Sequence, residues 1–132
     1  MALIKQFELN TGLEAPNAYH IITKVDTIKR PFDDQDPAGA RPDNAPDHVW
    51  KAGYYGKISV SIYASKSARE AGKAPIAARC VYPTDAPALF VGPVTTDQRL
   101  NFTIDINSEK STLEQAYAHL KTLDLYAGAT ED

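Results

Sequence analysis

Cysteine is almost missing from this 132-residue chain. Cys80 stands alone, so no internal disulfide and no multi-cysteine zinc site can form. Long apolar runs are missing too: nothing approaches the ~18 consecutive apolar residues of a membrane span. The opening Met1-Ala2-Leu3-Ile4-Lys5 has no basic segment, long apolar core or small-residue cleavage site, so it does not read as a secretory signal. The expectation is a chain that is neither membrane-spanning nor exported. Positive charge is in deficit, with 14 Lys and Arg against 17 Asp and Glu, a net charge of −3 and a pI near 5.6. No overall positive field is left to attract a phosphate backbone or an anionic membrane. Internal repeats, low-complexity tracts and heptads are absent as well, which excludes solenoids and coiled coils.

What is present is the composition of a folded protein, 43% hydrophobic and 23% charged. The length suits one domain over residues 1–132, able to bury roughly two thirds of its unfolded surface. Leu3, Phe7 and Leu9 alternate with Gln6 and Glu8, the two-residue period of a half-buried strand. Asn10-Thr11-Gly12 follows as a turn. From Tyr19 to Ile28, β-branched residues predict a second strand, with Tyr19, Ile21 and Val25 set against His20, Lys24 and Asp26. Tyr54 to Ala64 is the clearest strand: Tyr54, Gly56, Ile58, Val60 and Ile62 form an apolar face, and Tyr55, Lys57, Ser59, Ser61 and Tyr63 a polar one. Ser65 is placed to cap a short connecting helix that Gly72 stops. Ile76 to Tyr82 resumes the alternation, which makes Cys80 a small core residue with no neighbouring group to activate its thiol. Leu100, Phe102, Ile104 and Ile106 predict a further strand. The period then changes: Leu113, Ala116, Tyr117, Leu120 and Leu123 follow helical spacing, and Ser111 with Glu114 forms a capping box.

Two stretches break the pattern. Between Arg30 and Gly53, Pro31, Pro37, Pro42 and Pro46 are interleaved with Asp33, Asp34, Asp36, Asp43 and Asp47. Four residues of fixed φ forbid a continuous helix or central strand, so residues 30–53 read as a long loop, either an arm that meets a partner or a mobile insertion. Its Trp50 either closes back on its own core or anchors a partner. Residues 83–97, punctuated by Pro83, Pro87, Gly92 and Pro93, form the second irregular segment, in which Leu89, Phe90 and Val91 make an edge strand or a buried plug.

Chemistry needs convergent groups, and the sequence offers few. His20, His48 and His119 have no partner at metal-ligand spacing. Asp33-Asp34-Gln35-Asp36 lacks the alternating ligands, central Gly and closing Glu of a calcium loop. Gly53-Tyr54-Tyr55-Gly56 has neither the glycine density nor the following helix of a phosphate cradle. No nucleophile elbow occurs. No cofactor, metal or catalytic residue is assigned, and an enzyme is not expected. Tyr54, Tyr55, Tyr63 and Tyr82 with Lys57 and Arg79 could stack bases or sugars, but tyrosines at strand ends ordinarily cover a core edge, and the net charge disfavours nucleic acid.

Three segments carry a resemblance. They are Gly12-Leu13-Glu14-Ala15-Pro16-Asn17-Ala18-Tyr19-His20; Val60-Ser61-Ile62-Tyr63-Ala64-Ser65-Lys66 with Ala68-Arg69-Glu70-Ala71-Gly72-Lys73-Ala74-Pro75-Ile76; and Gln115-Ala116-Tyr117-Ala118-His119-Leu120-Lys121-Thr122-Leu123 with Tyr126-Ala127-Gly128-Ala129. In this order the chain resembles a family of small uncharacterised proteins encoded among the late structural genes of tailed bacteriophages. Members of that family are shorter, so residues 30–53 and 83–97 stand as insertions. The resemblance implies a virion component of the tail or baseplate, with a capsid decoration protein as the alternative, and it implies no catalytic residues. A carbohydrate- or receptor-binding module is the reading from a different class, with Trp50 and the tyrosines lining the ligand surface.

The expected fold is α+β: a mainly antiparallel sheet or sandwich, one C-terminal amphipathic helix and a short connecting helix. The expected partners are other phage structural proteins and further copies of the chain, with no membrane partner. The expected contact residues are Phe32, His48, Trp50, Tyr54, Tyr55, Leu89 and Phe90, large groups in or beside the irregular segments.

Overall fold

The computed structural model describes residues 1–9, 11–29, 54–87, 90, 92–105 and 107–132. Its spine is a pair of long antiparallel strands, β4 (Tyr19–Lys29) and β5 (Tyr54–Tyr63), in register from Tyr19 opposite Tyr63 to Lys29 opposite Tyr54. On the far side of β5 two strands share its length. β8 (Asn101–Ile104) pairs with its first half and β6 (Ala77–Cys80) with its second. β7 (Val94–Thr96) extends β6 in parallel. On the far side of β4, β1 (Leu3–Ile4) pairs at Tyr19 and His20, and β9 (Thr130–Glu131) closes that edge. The result is a seven-stranded sheet, beside which β2 (Phe7–Glu8) and β3 (Glu14–Ala15) make a two-stranded one. With helices α1 (Lys66–Glu70) and α2 (Thr112–Thr122), the fold is the expected α+β, mainly antiparallel arrangement.

The inner face of β5 builds the core. Ile58, Val60 and Ile62 are buried against Leu3, Ile22, Leu100 and Phe102, and α2 adds Ala116, Tyr117 and Leu120 to the same cluster. Gly56 is required there, because a Cβ would come within 2.5 Å of the Phe102 ring. α2 is held at its start by the expected capping box: Ser111 Oγ accepts from the Glu114 N–H, and the Glu114 carboxylate accepts from the Ser111 N–H. α1 is capped by Ser65 and ends at Gly72, whose φ of +76° suits glycine.

Several expectations are corrected. The predicted strand Leu3–Leu9 is two strands in different sheets. The chain crosses between them at Lys5, whose N–H is taken by the Ala18 carbonyl and whose own carbonyl is taken by His20. His20 was expected on a polar face with Lys24 and Asp26, but it is buried beside Ile22. A bulge between Ile22 and Lys24 inserts one residue, so even-numbered residues face the core before it and odd-numbered ones, such as Val25, after it. The polar face of β5 is covered rather than wet, since Ser59 and Ser61 are buried. Leu113, expected on the buried stripe of α2, is 46% exposed. The strand predicted through Tyr82 stops at Cys80, and the segment 83–97 contains a 3-10 turn (Pro83–Asp85) and β7, neither read from its prolines.

Candidate functional site

Two groups of polar side chains are gathered by the sheet, one on each face. On the inner face, His20 from β4 meets Tyr126 from the 3-10 turn Asp124–Tyr126 and Arg79 from β6. Its Nε2 lies 3.0 Å from the Lys5 carbonyl, which can only accept, so Nε2 carries the proton. Nδ1 therefore accepts from the Tyr126 hydroxyl at 3.1 Å. Burial pushes the His20 pKa down from 6.5 to about 4; the bond to Lys5 opposes that shift and the Arg79 guanidinium adds to it. Burial also raises the Tyr126 hydroxyl. The Arg79 guanidinium lies 5.3 Å from the Phe7 ring centre and 5.4 Å from that of Tyr126, while its Nε and Nη1 have no hydrogen-bond partner. Neutral imidazole, buried phenol and ring-stacked cation form a structural knot that ties β2, β4, β6 and the C-terminal turn together.

On the outer face, the turn Pro83–Asp85 folds over β5. Asp85 receives Lys57 Nζ at 3.2 Å, a pair whose side chains are only 16% and 10% exposed, and it also accepts the Tyr82 N–H. Its carbonyl takes Ser59 Oγ at 3.5 Å. Lys57 stands 5.2 Å from the centre of the Tyr82 ring, which is half exposed. Cys80 is buried beneath this turn, its thiol donating to the Tyr82 carbonyl, and burial and then the Asp85 charge raise its pKa. Beside the turn runs an open groove of about 620 Å³, lined by Thr23, Lys24, Ser59, Ser61, Tyr63 and Pro87 among others. Short hydroxyls on its floor and one aromatic wall suit it to holding a polar chain or surface.

Of the expected contact residues, Tyr54, Tyr55 and Phe90 are among the described ones. Phe32, His48, Trp50 and Leu89 lie outside the described residues. Tyr54 and Tyr55 sit at the start of β5, half-buried, with Tyr54 packed against the core. Phe90 is half-buried near Gly92. His119 stacks on Phe102 and donates to the Arg99 carbonyl at 2.7 Å. Sequence reasoning missed Asp85 and the role of Arg79; a Pro-Thr-Asp turn start after a strand was the signal for the first, and an arginine set between Ala77 and Val81 on one side of an alternating strand was the signal for the second. Among the described residues no group of three or more His, Cys, Asp or Glu side chains could hold a metal, and no helix is long and apolar enough to cross a membrane. No family model matches the chain, and no curated protein or solved structure matches it significantly.

Proposed function

We propose that this chain is a structural component of a tailed-bacteriophage virion, in the tail or baseplate, present in several copies and acting through protein–protein contacts rather than catalysis. The reading rests on the three segments that resemble phage late-region proteins. The observation that carries it beyond resemblance is the layout of the long hairpin. β4 ends at Lys29 and β5 begins at Tyr54, and these two residues are paired, so both ends of the proline-rich stretch are anchored at one point of the sheet, at one end of its two longest strands. A contact segment tied to the sheet at a single point can differ or engage a neighbour without altering the strands that carry it. Antibody labelling of purified particles, viewed by electron microscopy with mass spectrometry of the same particles, tests the proposal. Label at the tail end is the expected outcome. Label over the head would transfer the role to capsid decoration, and absence from the particle would overturn a virion role.

A further inference from the structure

Among the described residues, the outer edge of β4 has no strand partner beyond its first residues. β1 pairs only with Tyr19 and His20, and the Ile22 N–H is taken by the Tyr117 hydroxyl at 3.0 Å. From Thr23 to Ile28 no strand pairs with that edge among the described residues. The Ile22 N–H points away from β5. With one residue inserted by the bulge, alternation turns the backbone N–H and C=O of Val25 and Thr27 outward as well. An edge of this kind is a template for another strand.

Its sequence is self-complementary. Ile22-Thr23-Lys24-Val25-Asp26-Thr27-Ile28 reads the same in both directions except at Lys24 and Asp26, which exchange sign. Two copies laid antiparallel about Val25 set Val25 against Val25 and Lys24 against Asp26 twice, each a favourable cross-strand pair, while the bulge turns Thr23 to the outer face, away from the side that Thr27 shares with Val25. A two-fold axis through Val25 is also the symmetry of an isologous dimer. Lys24 and Asp26 are exposed at 50% and 36% and bridge each other at 3.3 Å within one copy, so both are free to re-pair across the axis. Leu113 stands beside the same edge, lining with Thr112, Val25 and Thr27 a crevice of about 340 Å³. This exposed leucine, off the buried stripe of its own helix, would be covered by the second copy.

We propose that β4 is a self-association edge, through which two copies of the chain pair antiparallel about Val25 into one continuous sheet. The proposal does not depend on a virion role. Bulge and Tyr117 limit the ladder to the few residues about Val25, so the contact is small and the dimer is reversible.

Sedimentation velocity of the full chain over a wide concentration series tests it, with circular dichroism confirming that each variant folds. The unsubstituted chain should show a concentration-dependent monomer–dimer equilibrium. Lys24→Glu and Asp26→Lys, each placing like charges opposite one another, should weaken it by about tenfold. An equimolar mixture of the two single variants restores both opposite-charge pairs and should restore association, as should the double variant with itself. Thr27→Pro, which removes an outward N–H, should leave a monomer. Should that variant fail to fold, the charge exchange decides alone. A chain that stays monomeric at every concentration would overturn the proposal. So would a dimer indifferent to these charges, or single variants that the mixture does not rescue.

Discussion

The two faces of β5 are both buried and are built from opposite materials. Inward, Ile58, Val60 and Ile62 meet Leu100, Phe102 and the apolar side of α2. Outward, Lys57 and Ser59 lie under the Pro83–Asp85 turn, held by an ion pair and a hydroxyl contact, and Ser61 lies on the floor of the groove beside it. The difference separates what drives folding from what positions a surface. Apolar burial is non-directional and scales with area removed from water, so the inner face supplies stability. The outer face gains little net energy from bonds exchanged with water, but those bonds are directional and hold the turn, with its half-exposed Tyr82, in one place.

That contrast can be broken most severely from the inside. Ile62→Ala should lose roughly 3–4 kcal/mol of stability through the cavity it leaves, measured by urea denaturation. Acid attacks the same face through His20. Its folded pKa, near 4, lies below the 6.5 of the unfolded chain, so the unfolded state takes up the proton first. The stability held above about pH 6.5 therefore falls as the pH drops toward 4, by roughly 3 kcal/mol, and levels off below. Denaturation curves across that range check it, and His20→Gln should flatten the dependence. On the outer face, Asp85→Ala leaves Lys57 half-buried and unpaired and frees the Tyr82 N–H, so a loss of about 2 kcal/mol is expected, with faster amide exchange in the turn as its signature. Ser61→Ala should change stability by less than about 1 kcal/mol, because a methyl fits the same small space. An outer-face loss as large as that of Ile62→Ala would dissolve the distinction.

Local signals were legible wherever short-range chemistry decides. The capping box at Ser111 and Glu114, the Ser65 cap, the Gly72 stop and the alternation of β5 all depend on neighbours a few residues apart, and all stand in the structure. The side of the sheet to which β4 turns each residue was not legible. A single inserted residue after Ile22 reverses the parity, and bulges have no obligatory residue type. The same holds for the two-residue strands β1 and β9, whose pairing joins opposite ends of the chain. Of the candidate site, Tyr63 and Lys57 were read as surface aromatics and cations. The pairing of Lys57 with Asp85 could not be read, because it joins a strand to a turn through a fold that composition does not encode.

The sequence by itself determined that this is an α+β chain with a strong central strand, a capped C-terminal helix and a proline-rich interruption, because periodicity, capping and fixed φ act within a few residues. Only the tertiary structure decided that His20 is neutral and buried, that Lys57 and Asp85 meet, and that Leu113 stands exposed beside the edge of β4. Each of those outcomes depends on which distant segments exclude water from a given atom, and that is settled only when the whole sheet closes.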